Sequence, residues 1–114
     1  MSVPVQQRIE QRDNALAIAN EARFAWCRIR REIHALGHAA GLSRLADLIE
    51  QSDSVVLGQP VERALTRSVR SMSWAKADHI MAAAGIRIGT RRLRELSERQ
   101  RAVIVDQLRN GGGR

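Results

Sequence analysis

The stretch SMSWAKADHIMAAAGI, from Ser71 to Ile86, gathers the residue types that hold an anion at the start of a helix. A helix that opens from a tight turn presents unpaired backbone N–H groups and the positive end of its dipole. Phosphate is the usual anion at such a place. Ser71 and Ser73 add small hydroxyl groups, and Lys76, the only lysine of the chain, falls in the first turn. Trp74 could lie over a sugar or against a groove wall, and Ala75 completes the turn. An ordinary serine-capped helix with Trp74 buried is the other reading of the same residues. The following segment, IRIGTRRLRELSERQRA, holds Arg87, Arg91, Arg92, Arg94, Arg99 and Arg101 against Glu95 and Glu98. Leu93 and Leu96 are placed to anchor it on a core while Arg91, Arg92 and Arg94 point outward. Such a loop beside a helix N-terminus makes two grips for one phosphate backbone. A solvated, salt-bridged surface is the alternative.

Other chemistry finds little support. There is one cysteine, no serine beside a plausible histidine–carboxylate pair, no glycine-rich phosphate loop and no zinc-finger spacing. His34 and His38 stand four apart, as a metal pair does, but have no obvious third ligand, and Gly37 can end the helix between them. His79 reads as a packed or surface residue. Cys27 reads as a buried thiol, and a lone cysteine suits a reducing cytosol. The expectation is a protein without catalytic residues, cofactor or metal.

These residues must be positioned by helices. The apolar content, 44% of 114 residues, is mostly Ala, Ile, Leu and Val, with one Phe, two Trp and no Tyr. That mixture favours helix over sheet. Residues 6–36 read as one long helix with Ala15, Ala19, Ala22, Trp26, Ile29, Ile33 and Leu36 on one stripe. Pro4 precedes it and Gly37 follows it. Its first third is too polar to be buried, so it projects, frays or meets a partner. Gly41 reads as a restart, followed by a short helix with Leu42, Leu45, Leu48 and Ile49 inward. SDSVVLGQ reads as a turn that Ser52 or Asp53 could cap. A helix from Pro60 to about Val69 carries Val61, Leu65 and Val69 inward. The next spans about Trp74 to Ala84 and ends at Gly85. The last is opened by Ser97 and Gln100 at capping-box spacing, with Val103, Ile104 and Leu108 inward. The expected architecture is all-α and a single structural domain: a long N-terminal helix (1–40), a helical binding domain (41–110) and a glycine tail (111–114). No apolar run reaches the ~20 residues of a membrane span, and the N-terminus lacks the order of a secretory signal.

The charge points the same way as the motifs. Nineteen basic residues, eighteen of them arginine, face twelve acidic ones for a net +7. Residues 1–50 hold seven arginines and six acids, whereas residues 51–114 hold twelve basic residues and six acids. The C-terminal half is therefore the one to meet a polyanion, and arginine favours phosphate and carboxylate.

SMSWAKADHIMAAAGI resembles the helix-two-turns-helix motif of a small-subunit ribosomal protein and some DNA repair glycosylases. More specifically, VLGQPVERALTRSVRSMSWAKADHIM with TRRLRELSERQRAVIVDQL resembles the actinobacterial integration host factor family, over about residues 55–108. The resemblance implies a small helical, nucleoid-associated cytoplasmic protein that binds duplex DNA with little sequence preference. It also implies that the protein bends or compacts DNA, and a part in site-specific recombination beside a recombinase complex. A chromosomal or a phage-borne relative would fit equally. Carried onto this chain, the family's phosphate contacts fall on Ser73, Trp74, Ala75 and Lys76 in the turn, and on Arg91, Arg92 and Arg94. The chain departs at the turn, where Ser73 and Trp74 replace the family's usual Gly and Lys. Serine should restrict the turn, and Trp74 could pack on sugar or wedge toward a base step.

The residues themselves point to a polyanion partner, and with this resemblance double-stranded DNA is the first one expected. Ser71, Arg99 and Arg101 join the residues above at the interface, and no membrane or small-molecule substrate is expected. The basic region offers Gln100 and Gln107 as its only side-chain amides, so few groups are suited to reading bases. Structured RNA is a second reading, on the same phosphate logic. A third is a protein-interaction module in which the Trp26 stripe pairs with another helix, against the alternative that it packs on its own domain.

Overall fold

The structure, a computed structural model, describes residues 5–111. Pro4 and the tail beyond residue 111 lie outside the described residues. Six helices follow one another: α1 (Val5–Ala35), α2 (His38–Glu50), α3 (Ser54–Leu57), α4 (Val61–Ser68), α5 (Trp74–Ala83) and α6 (Glu98–Arg109). A single 3-10 turn, Leu93–Glu95, lies between α5 and α6. The described residues contain no strand, and one isolated bridge joins Pro60 to Arg92. The all-α expectation is met.

Capping chemistry sets most boundaries. Asp53 accepts hydrogen bonds at its Oδ1 from the backbone N–H groups of Val55 and Val56, each at 3.0 Å, and so opens the one-turn helix α3. Ser97 and Gln100 form the reciprocal capping box of α6. Gly85, with φ +74°, provides the left-handed residue after α5.

The core is built from the spacings read in the sequence. Leu42, Leu45, Leu48 and Ile49 of α2, Val61 and Leu65 of α4, and Ile104 and Leu108 of α6 are all buried. Val69 is buried just beyond α4, and Val103 is partly buried against the cluster. Helix α2 packs on α1 and α6, α4 packs on α1 and α5, and α5 packs on α6. The fork of Arg109 ties α6 to α2, at 2.7 Å from Glu50 and 3.0 Å from Asp47. Those bonds raise the guanidinium pKa further above its ordinary value.

Two expectations need correction. Gly41 does not restart the chain. Gly37, with φ +85°, makes the break, and α2 begins at once with Gly41 inside it. Gly41 is buried where α2 crosses α1, and a Cβ there would lie 3.0 Å from the backbone oxygen of Ile33. Gly41→Ala is therefore expected to destabilise the protein, because overpacking by about 1–3 kcal/mol exceeds the helix-propensity gain of ~1 kcal/mol. Urea unfolding measures the difference.

The long stripe of α1 is the second correction. Only Trp26 and Ile33 are buried and Ile29 is half-buried, whereas Ala15, Ala19, Ala22 and Leu36 are exposed. Helix α1 has 31 residues, so it is about 46 Å long, and α2, α3 and α4 cover only its C-terminal part. Residues 5–24 are exposed throughout and project from the body, with Leu16, Ile18 and Phe24 in solvent. The projection stretches the longest dimension to 58 Å. It also raises the radius of gyration to 16.7 Å, against about 13 Å for a compact domain of this order of size.

Candidate nucleic-acid interface

The two expected grips are built by the two ends of α4. At its C-terminal end the chain leaves the helix at Val69 and turns, with Met72 N–H donating to the Val69 carbonyl at 3.3 Å. Ser71 takes the left-handed conformation, φ +64°. Met72 is buried and holds the turn to the core. Ser73 is extended, with φ −79°, and its Oγ accepts the Lys76 backbone N–H at 3.1 Å. Ser73 thus caps α5 in a conformation any residue adopts. The strain expected of serine at this position is absent, and the left-handed residue is Ser71 instead.

Ser73, Trp74, Ala75 and Lys76 are all exposed. The N–H groups of Trp74 and Ala75, in the first turn of α5, have no acceptor among the described residues. Trp74 is 61% exposed, which removes the reading of a buried tryptophan. Ser73→Ala is expected to cost about 1 kcal/mol of stability by removing the cap, as denaturant unfolding would show.

The arginine segment sits at the other end of α4 for a physical reason. Helix α4 opens at Pro60, which offers no side-chain cap, so its first N–H groups need acceptors from elsewhere. The segment supplies them: Val61 N–H donates to the Arg91 carbonyl at 2.9 Å and Glu62 N–H to the Gly89 carbonyl at 3.0 Å. Leu93 N–H donates back to the Gln59 carbonyl at 3.0 Å. Gly89 fits because a Cβ would meet the Glu62 Cβ and the Met81 sulfur, each at 3.1 Å. Leu93 and Leu96 are buried, and Arg91, Arg92 and Arg94 are exposed, in the arrangement their spacing implies.

The six arginines of this region are not equivalent. Arg91 donates from a terminal nitrogen to the Glu95 carbonyl at 3.2 Å, and Arg92 donates to the Gly58 carbonyl. Arg94 has no partner among the described residues and stands in solvent. Arg101 is half-buried and donates to the Leu96 carbonyl at 2.9 Å and the Leu93 carbonyl at 3.4 Å. It braces the 3-10 turn from α6. Arg99 lies apart, in a shallow hollow with Gly85 and Ser97. The ion pairs among the described residues are Arg44–Glu32, Arg109–Asp47 and Arg109–Glu50, so none neutralises this segment.

The structure therefore separates the turn and the arginine segment by the length of α4, eight residues or about 12 Å. It also reveals cations that the motif reading passed over. Arg30 and Arg31 near the end of α1, and Arg67 and Arg70 around the end of α4, converge on one cleft of about 560 Å³ that reaches Ser71 and Met72. Their signal in the sequence was slight. Two arginines off the apolar stripe of α1 and an Arg-x-x-Arg pair before the turn are ordinary surface spacings until α1 is laid across α4.

His34 also lines the cleft, whereas His38 opens α2 with its Nδ1 donating to the Arg70 carbonyl at 2.7 Å. That bond ties the start of α2 to the backbone of Arg70. No group of three or more potential metal ligands occurs among the described residues. Cys27 is half-buried in α1. None of the described helices is long and apolar enough to cross a membrane. No protein-family model, curated protein or solved structure matches the chain.

Proposed function

We propose that this protein binds duplex DNA through its phosphates, with little preference for sequence. One observation carries the reading. The exposed Arg91, Arg92 and Arg94 ride on a backbone hydrogen-bonded to α4 and anchored by Leu93 and Leu96, and no carboxylate pairs with them among the described residues. A cation held on a rigid support loses little freedom when it meets a phosphate. The open N–H groups and Lys76 at the start of α5 supply a second contact of mixed main-chain and side-chain character. Likeness to the actinobacterial integration host factor family extends the proposal to bending or compaction of DNA, association with the nucleoid and assistance to a site-specific recombinase.

Arg92→Ala combined with Arg94→Ala tests it. Each loss should remove about 0.9 from the slope of log affinity against log salt and weaken every duplex sequence by a similar factor. Unchanged affinity in a gel-shift titration would remove these residues from the interface. Structured RNA, offered as a competitor, should displace duplex less effectively than unlabelled duplex does.

A further inference from the structure

The cleft between α1 and the end of α4 has no assigned purpose, and its chemistry is one-sided. Arg30, Arg31, Arg67 and Arg70 line it together with His34 and Ser71, and no carboxylate does. None of the four arginines belongs to an ion pair among the described residues. The Nε of Arg30 is buried and has no hydrogen-bond partner. A buried donor without an acceptor costs about 1–3 kcal/mol, and converging like charges repel.

Part of this has a local explanation. Arg67 and His34 lie in the last turns of α4 and α1, where carbonyl ends attract cations. That accounts for neither Arg30, Arg31 and Arg70 nor the missing acceptor. The cleft also adjoins the proposed interface directly, because the Ser71 and Met72 that line it lead into Ser73, Trp74 and Lys76. A sugar–phosphate strand that meets the N-terminus of α5 would therefore pass on into the cleft.

We infer that this arginine cleft is a further phosphate-binding track, which takes the backbone of the same duplex as it leaves the α5 turn. The inference rests on the duplex-binding reading and extends it. The interface then runs from α1 across the turn to the arginine segment, with Arg31 and Arg70 as exposed contacts and Arg30 as a half-buried donor. Arginine suits the role because its planar fork can bridge two phosphate oxygens.

The test compares four proteins by duplex titration at several salt concentrations: wild type, Arg31→Ala with Arg70→Ala, Arg92→Ala with Arg94→Ala, and Arg8→Ala with Arg12→Ala. The last pair removes the same charge from the projecting half of α1. The cleft variant should bind roughly 10–50-fold more weakly near 0.1 M salt, with a slope shallower by about 1.8, while the α1 control stays within about twofold. Arg31→Lys with Arg70→Lys should keep the slope, which separates loss of charge from loss of fold. If the cleft variant binds like wild type while Arg92→Ala with Arg94→Ala weakens binding, the track is refuted and the duplex-binding reading survives. Equal weakening by the Arg8–Arg12 control also refutes it, since general charge would then explain the effect. Failure of the wild type to bind duplex overturns both. A thermal shift with a free nucleoside triphosphate that needs Arg31 and Arg70, in a protein whose duplex affinity ignores them, would assign the cleft to a small phosphorylated ligand and overturn the track.

Discussion

Raising monovalent salt from 50 to 200 mM is expected to lower duplex affinity by about a thousandfold. The expectation follows from the kind of group at the interface. Lys76, Arg91, Arg92, Arg94 and, in the cleft, Arg31 and Arg70 can each neutralise one phosphate and release its condensed counterions. Six such contacts give a slope near −5 in log affinity against log salt. Little in the basic region offsets this with base reading, because its only side-chain amides, Gln100 and Gln107, are half-buried and no helix lays a row of them outward. Duplexes of unrelated sequence should therefore bind within a few-fold of one another and share the slope. Fluorescence anisotropy at four salt concentrations measures it. A slope near −1 would mean that most of these cations stand away from the nucleic acid.

The fold was more legible than the site. Apolar spacings on α2, α4 and α6 placed Leu45, Leu65 and Ile104 inside correctly, because short amphipathic helices bury the face their period defines. Caps were legible for a related reason: Asp53, Ser97 and Gln100 act on backbone only two or three residues away. The α1 stripe misled because a period shows which residues share a face and not whether anything covers that face. Ala15 and Ala22 are small enough to sit in solvent at little cost. Gly41 misled because a glycine that ends a helix and one that admits a neighbouring helix look alike in sequence. Only the crossing at Ile33 distinguishes them. The site was half legible. Arg91, Arg92 and Arg94 flank the buried Leu93, a local pattern. The cleft arginines come from α1 and from the end of α4 with the turn after it, more than thirty positions apart, and meet only through packing.

The anchoring of the arginine segment sets the last and sharpest expectation, that Leu93→Ala should impair both folding and binding. Leu93 is 1% exposed, and it lies between two of the proposed contacts. Its own N–H holds the segment to Gln59. Truncation to alanine removes buried hydrocarbon and leaves a cavity, for about 2–5 kcal/mol. That is a large share of the roughly 5–15 kcal/mol that holds a small domain together. Leu93→Met keeps the volume and should cost less than about 1.5 kcal/mol. Arg94→Ala, by contrast, removes an exposed side chain with no partner among the described residues, so stability should move by no more than about 0.5 kcal/mol. Its duplex affinity should still fall. Urea unfolding and anisotropy on the three variants separate the two roles: Arg94→Ala loses binding alone, Leu93→Ala loses both, and Leu93→Met loses little of either. The decisive comparison is Leu93→Ala held well below its own unfolding midpoint. There the domain is folded, but the arginines sit on a loosened support and each must be ordered again on contact with phosphate. Affinity should therefore remain reduced. Full affinity under those conditions would show that the arginines need only their charge and that the buried anchor beneath them serves the fold alone.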